Sequence, residues 1–219
     1  MTDPADGEDV PETEQSRRLN VRPDDRWLDT DPVTDGVLPP DVADRFDRLL
    51  GHPIETMGDV VSGIRTSTGG PLTADHLCHT TTETPHVAVT DGETYHFQCF
   101  FDGIGLAALV DGPVEISTES PAGEPIDVRA TPKGAIESTP PEAVMSFGIG
   151  GGVDEVDPDR STSGAATGAE LAYGLICPYV RAFTDRSAYE RWAARVEVAT
   201  VGMALTDGVP IATALVADE

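Results

Sequence analysis

The alternating sequence around Asp91-Gly92 constrains the fold of this chain most strongly. Two runs in which apolar and polar residues alternate flank this dipeptide. Asp-Gly favours a tight two-residue turn, because both turn positions need a backbone conformation that these residues tolerate. Side chains alternate between the two faces of a strand, so Tyr95, Phe97 and Cys99 are predicted to share one face. The sequence therefore predicts an antiparallel β-hairpin here.

Further short elements are predicted on both sides of the hairpin. Helical spacing of apolar residues predicts helices over 41–50 and 57–65, an apolar helix over 100–110 and a helix over 187–196 that starts with the Ser187/Glu190 capping box. Strand-like segments are predicted over 113–120, 125–131, 141–147, 171–183, 196–205 and 209–217. The predicted class is α+β, with a mostly antiparallel β core, a few packed helices and a small helical N-terminal region.

Three segments with different composition are expected along the chain. The first 16 residues contain six acidic residues and no basic one, so residues 1–36 are predicted to be a disordered acidic leader. Residues 37–84 are predicted to form the small helical region, and residues 85–219 the main domain. Within the main domain, residues 148–170 are predicted to be a long acidic loop, an insertion of a length that is uncommon in compact domains.

The charge of the chain excludes several classes of partner. Its 39 Asp and Glu residues outnumber 14 Lys and Arg residues, which gives a formal net charge of −25. Such a surface repels nucleic acids and anionic membranes, so neither is expected as a partner. The sequence has no signal-peptide pattern and no apolar run of about 18 residues, which favours a cytoplasmic location. Acidic, lysine-poor chains suit high salt, so a salt-loving source is expected rather than a merely acidic mesophilic protein.

The first candidate for chemistry is the motif Cys99-Phe100-Phe101-Asp102. Cys99 ends a predicted strand where a helix is expected to begin, and a helix N-terminus can stabilise a thiolate. Asp102 follows three residues later, so it is expected on the same helix face. Apolar surroundings raise the pKa of such a carboxyl, which could then deliver a proton near a sulfur-bound ligand. The motif alone leaves a purely structural role open.

The other two cysteines are interpreted differently from each other. Three cysteines are too few for a disulfide framework, and free thiols are expected. Cys177 lies in an apolar segment, and two thiols with one carboxyl in a pocket would suit a soft metal ion. Cys78 lies between His76 and His79, a pattern that favours a polar loop over a weak metal site. It is expected to be a bystander, so that Cys78→Ser is nearly silent.

Residues 85–216 resemble the alkylmercury lyases, also called organomercurial lyases. The elements that carry the resemblance are Tyr95 followed by Cys99-Phe100-Phe101-Asp102 and the apolar helix, the strand pair in 113–132, and Cys177 with Val180, Phe183 and the helix that contains Trp192. The acidic composition further suggests a haloarchaeal-type member of that family. Under the resemblance, residues 85–219 are the catalytic domain.

The resemblance implies mercury detoxification by cleavage of carbon–mercury bonds. Cys99 and Cys177 would hold the mercury of an organomercurial substrate, and Asp102 would mediate the proton transfers. The products would be a hydrocarbon and Hg²⁺, which members of the family pass to small thiols or to mercuric reductase. The resemblance implies no organic cofactor.

Two other functions stay open from the sequence. One is a non-enzymatic protein of the same fold that holds a soft ion such as Hg²⁺ or Cu⁺ through its two cysteines. The other is a structural or regulatory domain with buried cysteines. Asp102 favours the enzyme, because a protein that only chelates an ion needs no proton donor.

Overall fold

In a computed structural model, residues 23–132, 134–151 and 174–217 are described, and they form an α+β fold. The helices are α1 (Pro40–Leu50), α2 (Met57–Thr68), α3 (Phe101–Leu109), α4 (Arg186–Ala193) and α5 (Gly208–Val216). The strands are β1 (Trp27–Leu28), β2 (Val87–Thr90), β3 (Glu93–His96), β4 (Val114–Glu119), β5 (Pro125–Ala130), β6 (Ile136–Thr139), β7 (Val144–Ile149), β8 (Ala182–Phe183) and β9 (Ala199–Ala204). The predicted fold class is confirmed.

Two sheets form the β core of the described residues. Five strands in the order β3-β2-β4-β5-β6 make one sheet, which is antiparallel throughout. The other has the order β1-β9-β7-β8, and within it β1 and β9 are parallel. The predicted hairpin is confirmed as β2 and β3, with Asp91 at φ 50° and Gly92 at φ 80° in its turn. Positive φ at both positions is what a hairpin turn of this length requires.

The predicted N-terminal helices are confirmed and share one hydrophobic core with the rest of the fold. Helix α1 ends at Leu50 and is capped by Gly51, whose φ of 73° gives the left-handed conformation that glycine favours. In α2, Thr56 and Asp59 form a capping box. Phe46 of α1 stacks on Phe147 of β7 with ring centroids 5.6 Å apart. Buried residues of α1 and α2 therefore belong to the same hydrophobic core as those of the two sheets.

The predicted leader of residues 1–36 extends too far. Residues 1–22 lie outside the described part, but residues 23–36 contain β1 and two 3₁₀ turns. Leu28 and Val33 are buried, and Arg26 donates to Asp41 of α1 at 2.7 Å and to the Thr200 carbonyl at 2.9 Å. The acidic composition does not indicate that Arg26, Leu28 and Val33 pack on the fold, because their burial depends on partners far away in the sequence. Of the predicted loop 148–170, residues 152–170 lie outside the described part.

The strand predicted over 171–183 is wrong in its described residues. Cys177–Tyr179 form a 3₁₀ turn, and only Ala182–Phe183 pair as a strand within residues 174–183. Pro178 has no N–H to donate to a sheet, and it suits the first turn of a helix. The apolar run is buried as predicted, but as a turn rather than as a strand.

Two more C-terminal predictions are wrong. The strand expected over 209–217 is helix α5, whose buried Ile211, Ala212 and Leu215 follow helical spacing. The capping box at Ser187 is not formed, because α4 starts at Arg186 and the Asp185 side chain accepts from the Ala188 amide at 2.8 Å. Strand β6 was not predicted. Among the described residues, no helix is long and apolar enough to cross a bilayer.

Candidate functional site

Cys99 and Asp102 meet at the start of α3. Helix α3 begins at Phe101, as the sequence predicts, so Cys99 lies just before its first turn and Asp102 within that turn. The Cys99 thiol donates to Asp102 Oδ2 at 3.2 Å, and both residues are buried. Close packing on β4 fixes this helix, since a Cβ at Gly103 would lie 2.9 Å from the Ile116 side chain.

Cys78 reaches the site through a short backbone pairing. The Gln98 amide donates to the Cys78 carbonyl at 2.9 Å, and the Thr80 amide donates to the His96 carbonyl at 2.9 Å. The segment 78–80 thus runs antiparallel to 96–98, beside Cys99. The structure thus places Cys78 in the site, and this long-range pairing has no signature in the local sequence. That Cys78→Ser is nearly silent in the reaction stays a prediction.

Cys177 completes a cluster of three thiols and one carboxyl. Its thiol donates to the Cys78 sulfur at 3.3 Å, and Cys99 lines the same cavity. One ligand atom each from Cys78, Asp102 and Cys177 lie within 4.8 Å of one another. The structure therefore brings together the three residues singled out from the sequence, Cys99, Asp102 and Cys177, and adds Cys78 to them.

An arginine and a buried histidine hold the turn that carries Cys177. Arg181 donates through Nε to the Pro178 carbonyl at 2.8 Å and through a terminal nitrogen to His86 Nε2 at 3.1 Å. His86 Nδ1 lies 2.6 Å from the Thr118 hydroxyl of β4. Burial, reinforced by the Arg181 charge, lowers the pKa of His86 to about 4, so the ring is neutral and accepts from Arg181. This link fixes the turn against the five-stranded sheet.

Burial sets the protonation of the cluster. Desolvation raises the pKa of Asp102 to about 6, against hydrogen bonds from Cys99 and Cys78 that lower it. For Cys99, the hydrogen bond from Cys177 lowers the pKa, but burial and the Asp102 charge outweigh it and raise the pKa to about 11. Hydrogen bonds to Cys78 and Cys99, with burial, raise the pKa of Cys177. The expected raised pKa of Asp102 is confirmed. The helix start therefore does not lower the pKa of Cys99 below its usual value, since burial and the Asp102 charge raise it.

A mostly apolar cavity of about 250 Å³ opens onto the cluster. Cys78, Cys99, Asp102 and Cys177 all line it. Helices α1, α2 and α5 contribute much of its apolar wall, from Leu49, Leu50, Ile64, Ala212, Leu215 and Val216. The site thus offers soft sulfur ligands and a proton-holding carboxyl beside room for a hydrocarbon group.

The histidines beside Cys78 make other contacts. His76 Nδ1 accepts from the Thr73 amide at 3.0 Å, and His79 Nε2 lies 2.9 Å from the Ala74 carbonyl oxygen. Within the described ranges, Cys78, Asp102 and Cys177 form the one group of three or more side chains with ligand spacing. The weak histidine-containing metal site considered from the sequence is not formed there.

Comparison with known proteins points to one family. The family model described as MerB, alkylmercury lyase, matches residues 79–217. The chain is similar to the crystal structure of the mercury-bound form of MerB2, with a TM-score of 0.46 and 14% sequence identity, over 81% of this chain and 91% of that chain. None of the curated proteins matches the sequence. The family match covers α3, all strands from β2 to β9, and three of the four clustered residues.

Proposed function

The chain belongs to the alkylmercury lyase family, and from this premise we propose that it cleaves the carbon–mercury bond of organomercurials by protonolysis, with Cys99, Asp102 and Cys177 as catalytic residues. The observation that carries the proposal is the hydrogen bond from the Cys99 thiol to the buried Asp102 carboxylate, with the Cys177 thiol beside it. Two soft sulfur atoms and a group that holds a proton are what the reaction needs.

In the first step, Cys99 binds the mercury of the substrate. Its S–H bond breaks, an S–Hg bond forms, and the proton moves to Asp102 Oδ2, which lies 3.2 Å away in the free protein. A raised pKa of about 6 supports this role, because such a carboxyl is ionised near neutral pH yet takes up a proton readily. The displaced ligand of the mercury leaves as an anion.

In the second step, Cys177 binds the same mercury and the carbon–mercury bond breaks. The bonding electron pair stays on carbon, which takes the proton from Asp102 and leaves as a hydrocarbon. The proton of Cys177 then replaces the lost one on Asp102. The sum is one hydrocarbon, Hg²⁺ held by two thiolates, a protonated Asp102 and the anion displaced in the first step, so that charge and atoms balance.

The cavity supports a small organic group on the mercury. Its volume is about 250 Å³ and its wall is mostly apolar, and an apolar cavity of about 150 Å³ suffices to hold benzene. We therefore include phenylmercury and short alkylmercury compounds in the proposed substrate class.

The proposal extends to the setting of the protein. Small thiols, or mercuric reductase, take up the Hg²⁺ product, as in the family. Three free thiols suit the reducing cytoplasm. The net charge of −25 suits high salt, as expected for a haloarchaeal-type member.

The second candidate function is a binder of soft metal ions that performs no cleavage. The cluster of three thiols favours it, because sulfur ligands alone suffice to hold Hg²⁺ or Cu⁺. The buried carboxyl that accepts from Cys99 favours the lyase instead, since a binder gains nothing from a proton store.

Turnover of phenylmercuric acetate separates the two functions. The full chain is incubated with the compound and excess small thiol in concentrated potassium chloride, and benzene and released Hg²⁺ are measured. The lyase produces both. Asp102→Ala is expected to retain mercury binding and lose most of the benzene, because the proton route is gone.

Asp111→Ala is the matched control, because this exposed carboxyl lies beyond the other end of α3. Its turnover should equal that of the wild type. Stoichiometric mercury binding without benzene in the wild type would favour the binder, and undiminished turnover in Asp102→Ala would remove Asp102 from the mechanism.

A further inference from the structure

Cys78 is the part of the cluster that the two-thiol reaction does not use. It is buried, its sulfur lies 3.3 Å from that of Cys177, and it shares with Cys177 and Asp102 a set of ligand atoms within 4.8 Å of one another. It also lies just outside residues 79–217, which match the family model. The family match therefore assigns no role to this thiol.

We propose that Cys78 is a third sulfur ligand, so that this chain holds the Hg²⁺ product with Cys78, Cys99 and Cys177 together. Thiolates are the ligands that soft ions prefer, and all three cysteines line one mostly apolar cavity. The inference rests on the proposed function for its physiological ion, but binding of inorganic Hg²⁺ tests it independently.

When Hg²⁺ binds to the three thiols, three S–H bonds break and three S–Hg bonds form. The three protons leave the thiols for solvent, so atoms and charge balance.

The arrangement of the backbone also supports the inference. Cys78 and Cys99 lie on two paired segments, and Cys177 lies on a turn that Arg181 ties to His86. Three separate segments therefore carry the three cysteines that line the cavity, and the Cys99 thiol is joined to the set through its 3.2 Å hydrogen bond to Asp102. Convergence from several segments lets the ligands surround an ion, whereas a buried cysteine that only fills space needs no such neighbours.

The coordination of inorganic Hg²⁺ in the full chain tests the proposal. One equivalent of mercuric chloride is added, and the Hg–S bond length and the sulfur-to-mercury charge-transfer spectrum are measured by X-ray absorption and ultraviolet spectroscopy. The wild type is expected to give the longer bonds and the spectrum of three-sulfur mercury. Cys78→Ser should give two-sulfur mercury and lose the ion to a competing small thiol about tenfold more readily, equivalent to about 1.4 kcal/mol.

Met145→Leu is the matched control. It removes a buried sulfur that does not line the cavity, and it nearly conserves side-chain volume. Its mercury spectrum should equal that of the wild type. Two-sulfur mercury in the wild type would overturn the proposal even if Cys78→Ser failed to fold, and so would identical spectra in the wild type and Cys78→Ser.

Failure of the lyase and failure of this inference give different results. Three-sulfur mercury in a protein that forms no benzene supports the inference and contradicts the lyase. Benzene formation with two-sulfur mercury supports the lyase and overturns the inference.

Discussion

Burial of the Asp102 carboxyl makes the stability of the protein depend on pH. The carboxyl is buried against Cys99, and its pKa rises from 3.8 to about 6. The folded state therefore binds this proton more tightly than the unfolded state does, and between pH 3.8 and about 6 the folded state keeps the proton while the unfolded state has lost it. Stability falls as the pH rises through this window, and the loss is complete above the folded pKa.

Asp102→Asn is expected to stabilise the protein at neutral pH. Asparagine resembles the protonated carboxyl and cannot ionise. The variant therefore does not lose the folding stability that the wild type loses when Asp102 ionises, which is at most about 3 kcal/mol for a shift of this size. Urea unfolding of both proteins at pH 4 and pH 7 measures the difference in their free energies of unfolding. The gain should be small at pH 4 and larger at pH 7. A variant less stable than the wild type at pH 7 would contradict the argument.

At the scale of single residues, the sequence predicts one pair of the site, Cys99 and Asp102, but not the contacts of Cys78 and Cys177. Cys99 and Asp102 are three positions apart at a helix start, so local spacing brings them together. Cys78 and Cys177 are 99 positions apart, and their contact depends on how the whole fold closes. No local pattern could find it, and the convergence of Cys177 on Cys99 likewise rested on family resemblance.

The elements around the site differ in how strongly local sequence determines them. The β2–β3 hairpin, α1 and α3 follow their turn and periodicity signals. The Cys177 turn and α5 were predicted as strands, because short apolar runs fit a buried strand and a buried helix equally well. Pro178 and Pro210, near the starts of the turn and of α5, are the local signals for the helical alternatives.

The link from His86 to the Cys177 turn makes stability depend on pH. The folded pKa of His86 is about 4, below its usual 6.5, so the unfolded state binds the proton more tightly. Stability from the neutral ring is complete above 6.5 and is lost as the pH falls towards 4. His86→Gln should remove at most about 3 kcal/mol of the pH dependence over this window.

Denaturant unfolding of wild type and variant at several pH values measures this difference. His52→Gln is the matched control, since its ring lies outside the buried link and contacts the Pro53 carbonyl oxygen. Identical slopes in the wild type and His86→Gln would show that His86 is not held neutral by the fold.

At the scale of the whole molecule, the site is assembled from both parts of the chain. Helices α1 and α2 and Cys78 come from the predicted N-terminal region, whereas the other three clustered residues come from the predicted catalytic domain. The α+β class followed from element patterns, but this shared cavity did not, because it depends on tertiary packing. The charge of −25 bears on the solvent and the partners of the protein rather than on the reaction.

Isotope incorporation during turnover tests the central claim most directly. Phenylmercuric acetate and excess thiol are incubated with the protein in D₂O, where the thiols and the exchangeable carboxyl carry deuterium. Protonolysis predicts one benzene with a single deuterium for each Hg²⁺ formed. Phenylmercury that stays bound and intact, with no deuterated benzene, would contradict the account.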